Sequence, residues 1–192
     1  EKADNEKSTY GFAIDRGTGK AGYSSGSSKD KLLSGSLYGT WYGEKGNYTD
    51  VVARIGQFST DIKSYGEYAD KADYKAHAYS LSVEYGKTIK VNREQGTFIE
   101  PQVQFTAGRL GSAHYTTDRG TEVYAGGMNS FIGRVGLVAG QKAKDGRSDF
   151  YIKGSLLHEF GGERDITMQA ANGETLATSK DYGDTWVELG LG

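Results

Sequence analysis

The sequence predicts an all-β fold, a transmembrane antiparallel up-and-down β-barrel. Three observations lead there. Strand-like runs with a period of two recur along the whole chain. The connectors between them alternate between long and short. The polar faces of the runs carry carboxylates, amides and cations of both signs at mid-length rather than a uniform solvated fringe.

Composition agrees and narrows the class. The 192 residues suffice for one domain. Glycine (29) far exceeds proline (1), and 14 tyrosines suit strands better than helices. Mean hydropathy is −0.62, and no apolar run reaches the roughly 18 residues of a membrane helix. That excludes helical spans only, because a barrel strand alternates faces and its signal averages away. Cysteine is absent, which removes disulfides and thiolate metal sites. A net charge of −2 offers no electrostatic case for nucleic acid. The opening "EKADNEKSTY" has no apolar core and does not read as a signal peptide.

Eight strands are expected, at about 9–16, 31–44, 47–60, 77–90, 96–110, 130–142, 148–161 and 184–192. The connector 17–30, "GTGKAGYSSGSSKD", is long and rich in Gly and Ser. A tight turn over Glu44–Asn47 follows, then a long link at 61–76, which has helix formers but no helical apolar stripe. The short Val91–Gln95 turn precedes a long link at 111–129. The short Ala143–Arg147 turn precedes the last long one, 162–183. A soluble meander has no reason for this parity. An outer-membrane barrel has one, with short periplasmic turns and long extracellular loops.

Face assignments follow from the alternation. In 77–90, Leu81 and Val83 lie opposite Glu84. In 96–110, Val103 and Phe105 lie opposite Glu100, Gln102 and Gln104. In 130–142, Val135 and Leu137 oppose Arg134; in 148–161, Ile152 and Leu156 oppose Lys153 and Glu159; in 184–192, Val187 and Leu189 oppose Glu188. Tyr48, Phe58, Tyr79, Phe98, Phe150, Phe160 and Trp186 fall near strand ends, where membrane barrels carry aromatic girdles. Pro101 cannot donate to a ladder, so a bulge or a missing bond is expected beside it.

Motifs for chemistry are weak. "VEYGKT" (83–88) ends like a phosphate-binding loop, but Leu81 stands where the motif needs glycine and no helix follows. His77, His114 and His158 lack metal-ligand spacing, and "LLHEFGGERD" lacks the second histidine of a metalloprotease helix. His114, Asp118 and Asp165 could meet at an outer rim, which keeps a hydrolase as an alternative. The repeats "DRGTG" (15–19) and "DRGT" (118–121) read as turn signatures. "NYT" (47–49) is formally a glycosylation acceptor but lies in a turn, and "DKADYK" (70–75) reads as a solvated loop face. No catalytic residue, metal or cofactor is expected.

The segments "SGSLYGTWYGEKGNYTDVVARIGQFSTDIK" (34–63), "YSLSVEYGKT" (79–88), "GTFIEPQVQFTAGRLG" (96–111), "NSFIGRVGLVAGQK" (129–142), "LLHEFGGERD" and "DYGDTWVELGLG" (181–192) come in an order that resembles the C-terminal translocator β-domain of autotransporters, the type V secretion family. The resemblance implies a twelve-stranded barrel in the bacterial outer membrane, with an upstream passenger domain and a linker helix in the pore. It also implies help from the barrel-assembly machinery, and a monomer. Residues 1–192 would then be part of one such domain, with the eight runs as strands three to ten. The chain ends in "LGLG" without the terminal aromatic of the family. An open, curved sheet is therefore expected, with unpaired edges at 9–16 and 184–192. In that frame Glu84, Glu100, Gln102, Gln104, Arg134, Lys153, Glu159 and Glu188 line the lumen. Leu81, Val83, Val103, Phe105, Val135, Leu137, Ile152, Leu156, Val187 and Leu189 meet outer-membrane lipid. Arg134 or Lys153 is expected to pair with a glutamate on an adjacent strand. A passive porin or ligand-binding barrel is the other alternative.

Overall fold

A computed structural model describes residues 8–67, 69–92, 95–143 and 149–192. Its main element is an antiparallel sheet of long strands, curled into a half-barrel. In chain order these are β1 (Ser8–Tyr23), β2 (Gly26–Tyr42), β3 (Asn47–Ser64) and β4 (Lys71–Lys87), which a short β5 (Ile89–Asn92) continues. Then come β6 (Thr97–Leu110), two short strands β7 (Ala113–Thr116) and β8 (Glu122–Ala125), and β9 (Met128–Lys142). The chain closes with β10 (Asp149–Glu159), β11 (Arg164–Gln169), β12 (Thr175–Lys180) and β13 (Thr185–Leu191).

The order across the main sheet is β1-β2-β3-β4-β6-β9-β10-β13, with β5 on β6. Each long strand pairs with its predecessor, as an up-and-down barrel requires. β1 and β13 stand at the two ends and do not pair with each other, so the sheet is open there, as expected.

The elements the sequence misjudges lie at one end. Residues 17–30 are not a loop: β1 and β2 run on to Tyr23 and Gly26, and only Ser24 and Ser25 join them. β3 and β4 likewise extend to Ser64 and back from Lys71. The links 111–129 and 162–183 contain the hairpins β7–β8 and β11–β12, which combine into a second sheet in the order β12-β11-β8-β7. In the extensions of β1 and β2 most residues on both faces are polar or small, so hydrophobic alternation vanishes although the ladder continues. The turn over 44–47 is confirmed, with Gly43 N–H on Asn47 O at 2.8 Å and Gly46 at φ 76°. The Ala143–Arg147 turn lies outside the described residues after Ala143, as do Arg93 and Glu94 of the Val91–Gln95 turn.

Pro101 sits where its chemistry places it. Pairing of β6 with β4 ends at Gly86↔Gln102 and resumes with β5 at Ile89↔Ile99. The gap falls opposite Pro101, which has no N–H to give. Thr88 turns its own N–H to Gly46 O instead, at 2.8 Å.

A single sheet has no facing layer, and among the described residues no large side chain is fully buried. Large apolar side chains instead crowd one face in the open, with Phe12 at 75%, Phe105 at 52% and Leu189 at 85% exposure. A water-soluble monomer does not leave such a face uncovered.

Candidate functional site: the two faces of the sheet

The registers carry the alternation of each strand across the whole sheet. Gln104 faces Arg134, and Arg134 faces Leu157. Glu84 faces Asp50 and Gln104. All of these lie on one face. Side chains crowd there, and it holds the buried polar residues Ser34, Ser36, Arg134, Ser155 and Glu159. Convergence of side chains marks it as the inner, concave face. The opposite face carries the exposed apolar side chains.

A continuous polar belt crosses the inner face. Tyr48 on β3 directs its hydroxyl to Glu84 on β4 (2.7 Å) and Glu100 on β6 (3.1 Å). Gln102 donates to Tyr48 Oη and to Glu100 Oε1, each at 2.9 Å. The Thr88 hydroxyl donates to Glu100 Oε2 at 2.6 Å. Arg134 on β9 closes the belt, with Nη2 at 2.5 Å from Glu84 Oε2 and Nη1 at 3.4 Å from Ser155 Oγ on β10. Arg134 and Glu84 have 6% and 16% side-chain exposure. Charges so withdrawn from water need each other. Above this belt, Gln104 donates to Ser82 Oγ at 2.6 Å and Thr106 lies 3.1 Å from the same oxygen. A recess of about 490 Å³ opens beside Tyr48, lined by Thr40, Asp50, Glu84, Thr88 and Glu100 among others.

The expected ion pair forms with a different partner. Arg134 reaches Glu84 across β6, two strands away rather than on an adjacent strand. Among the described residues Lys153 makes no ion pair within 4 Å. Glu159 is a backbone staple: it accepts from the Ser130 hydroxyl and from the N–H groups of Phe131 (2.7 Å) and Gly161 (2.9 Å). It sits where β10 leaves the main sheet. Glu188 lies on the edge strand and is exposed. Glu84, Glu100, Gln102 and Arg134 are thus brought together, with Gln104 one step above them, while Lys153, Glu159 and Glu188 lie outside the belt.

Sequence reading missed Asp15, Asp30, Tyr48, Asp50 and Arg54 on the same face. Asp50 accepts from Thr40 at 2.7 Å, Asp30 accepts from Thr60 at 2.7 Å, and Arg54 lies 3.8 Å from Asp15. Tyr48 organises the belt. Of the aromatics read as girdle residues, Tyr48, Phe58, Phe98 and Trp186 belong by register to the inner face. Tyr79, Phe150 and Phe160 lie on the outer one. The signal was available in "YTDVVAR", where Tyr48, Asp50 and Arg54 share a parity.

The outer face is apolar over a defined height. On β6 it runs Ile99, Pro101, Val103, Phe105, Ala107, and Arg109 ends it. Eight residue steps cover about 27 Å along the strand. A tilt of about 40° reduces that to roughly 21 Å of height, close to the apolar band of outer-membrane barrels. Leu81, Val83, Val103, Phe105, Val135, Leu137, Ile152, Leu156, Val187 and Leu189 all lie in this band and are all exposed. The second sheet separates the rim residues: His114 on β7 stacks on Tyr124 at 4.0 Å, Asp118 is in the β7–β8 turn, and Asp165 is on β11. Among the described residues no cluster of three His, Asp or Glu could hold a metal.

A curled meander that is apolar outside and hydrogen-bonded inside defines an outer-membrane β-barrel protein. The chain matches the model of the autotransporter β-domain family over residues 2–192 and belongs to that family. It is similar to the pertactin autotransporter of Bordetella parapertussis, 33% identical over 160 residues. It is also similar to the adhesin/invasin autotransporter TibA of Escherichia coli, 26% identical over 176 residues. These alignments cover 81% and 87% of the chain, which spans 17% of the length of each relative. The fold matches the β domain of the Bordetella autotransporter BrkA with a TM-score of 0.72 at 22% identity, covering 96% of this chain and 80% of that one. The family makes the chain a translocator β-domain sequence of the bacterial outer membrane.

Proposed function

We propose that residues 1–192 belong to one barrel domain through whose lumen, or with whose help, a linked passenger reaches the cell surface. The inner face lines a wet lumen, with Glu84, Glu100, Gln102, Gln104 and Arg134 at its centre and Lys153, Glu159 and Glu188 at its borders. The outer face meets lipid acyl chains. The barrel-assembly machinery inserts the domain, a linker helix occupies the pore, and the barrel works as a monomer. The chemistry requires no nucleophile or cofactor.

The observation that carries this reading is the polar belt from Tyr48 to Ser155. Its charged groups are paired across strands, and among the described residues only Gln102 Oε1 and Arg134 Nε of the belt are buried without a protein partner, so a moving chain meets a wet wall rather than unpaired charges that would hold it. Glu100→Leu in the full protein tests it. Leucine leaves the Thr88 hydroxyl without its acceptor and takes from Gln102 one of its two, so passenger exposed to protease on intact cells should fall. Unchanged surface display would remove Glu100 from the translocation path.

A further inference from the structure

Resting on that outer-membrane reading, we propose that the outer face of β1–β4, just above the apolar band, binds the phosphates of an anionic lipid headgroup in the outer leaflet. The registers define rows of residues at increasing distance from the band. Tyr79 faces Arg109 at its upper edge. The next outer row is Arg16, Leu33, Gln57 and His77. The row above it is Thr18, Lys31, Ser59 and Lys75. Acids first appear one row higher, where Lys20 and Lys29 face Asp61 and Asp73. Rows are spaced by about 7 Å along a strand. The first two rows above the lipid thus hold Arg16, Lys31 and Lys75 and no carboxylate.

Three features set this patch apart from an ordinary charged surface. First, the cations keep to one face. On the inner face at the same height the described strands carry Asp30, Thr60, Tyr74, Leu32, Phe58 and small residues, but no Lys or Arg. Solubility alone would not choose between faces. Second, the cations have no counter-charge: among the described residues none of Arg16, Lys31 and Lys75 has an ion-pair partner within 4 Å, and all three are exposed. Two rows above the patch the register also sets Lys63 opposite Lys71, an arrangement that repels until an anion bridges it. Third, the patch is continuous with the exposed band below it. A lipid there lays acyl chains on Phe12, Ile14, Leu37 and Ile55 while its headgroup stands at the height of Arg16 and Lys31. Lys31 and Lys75 are two strands apart, about 10 Å, a span that suits a headgroup with two phosphates. At the other end of the band on β1–β4, the strands bring a single outer-face cation, Lys87. The asymmetry favours the leaflet on the side of the second sheet.

Phosphate-selective lipid binding tests this. The full-length protein in dodecylmaltoside is titrated with fluorescent bis-phosphorylated lipid A, with the dephosphorylated glycolipid in parallel and inorganic phosphate as competitor. Each cation contributes about fivefold at a membrane surface, so K31Q/K75Q should weaken binding by about 25-fold. K31R/K75R should stay within about twofold of the parent, since charge is what counts. The dephosphorylated glycolipid should bind weakly to every variant. Equal binding by K31Q/K75Q and parent overturns the proposal, as does equal binding of the dephosphorylated form. Displacement by millimolar inorganic phosphate would reassign the patch to a free anion. Heat-modifiable gel mobility is recorded for every sample: its absence from the parent would fail the outer-membrane reading itself. Should K31Q/K75Q not fold, the single variants R16Q and K75Q carry the same arms at about fivefold each.

Discussion

Removing Arg134 while keeping Glu84 is the sharpest test of the inner belt. Arg134 is 6% exposed and places Nη2 at 2.5 Å from a carboxylate that is itself 16% exposed. Arg134→Met keeps the stem and deletes the charge, leaving Glu84 with only the Tyr48 hydroxyl. Breaking a buried pair from one side costs about 3–5 kcal/mol. Glu84 retains one donor and some access to water, so about 2–4 kcal/mol is expected. The double variant R134M/E84Q removes the stranded charge and should cost only about 0–2 kcal/mol. Glu84→Gln alone, which leaves the Arg134 guanidinium without its counter-charge, should cost about 1 kcal/mol, so mid-range values predict a coupling of about 3 kcal/mol between groups two strands apart. Urea titration of the full protein in liposomes, followed by tryptophan fluorescence and heat-modifiable mobility, measures all four forms. Destabilisation by R134M of under about 0.5 kcal/mol, or additive single effects, would refute the claim that this pair holds the belt together.

Other predictions separate the faces, the aromatic packing and the loop. Val103→Lys, at the middle of the apolar band, should cost about 2–4 kcal/mol, whereas Gln104→Lys, one residue on and facing inward, should cost far less; the same urea titration ranks them. A Cβ on Gly86 would lie 2.4 Å from Cζ of Tyr48, so Gly86→Ala should displace that ring from Glu84 and Glu100 and cost about 1–3 kcal/mol. Tyr48→Phe, which keeps the ring and deletes the hydroxyl, should cost about 1–2 kcal/mol; equal stability of both variants and parent would exclude Tyr48 as the organiser. Desolvation pushes the Asp70 carboxyl up, but hydrogen bonds from Thr117, Lys71 N–H and Arg119 N–H outweigh it and hold the group below its ordinary value. A depressed carboxyl stabilises above its unfolded pKa and loses that contribution as pH falls below about 4. Pepsin cleavage in the 117–121 turn should therefore rise as the medium is acidified below that point, and Asp70→Asn should abolish the pH dependence.

The parts of the fold legible in the sequence are those where two solvents meet one strand. In "FIEPQVQF" an apolar outer face and a polar inner face force an alternation, and Ile99, Val103 and Phe105 separate cleanly from Glu100, Gln102 and Gln104. Above the membrane both sides are water, so the extensions of β1 and β2 through "GTGKAGYSSGSSKD" read as a loop although their ladder is continuous. The site was half legible for a related reason. Parity identifies the face of Arg134, but its partner depends on which strands become second neighbours and in what register. Tyr48 was hidden by its type: a tyrosine near a strand end suits an interfacial girdle as well as an inward hydroxyl, and only its contact with Glu84 and Glu100 decides.

The same logic explains the division of charge along the strands. Within the membrane, a charge on the outer face is costly, so carboxylates, Arg134 and Lys153 are confined inside, where neighbours and water can meet them. Past the band that restriction lifts, and a solubility requirement alone would scatter Lys over both faces. On β1–β4 the cations instead change sides, from Arg54 and its inner partner Asp15 to the outer Arg16, Lys31 and Lys75. On the proposed function, the inner face needs neutrality so that a passing chain is not retained. The outer face needs a positive rim wherever the adjoining lipid is anionic. One change of side at the edge of the apolar band meets both needs.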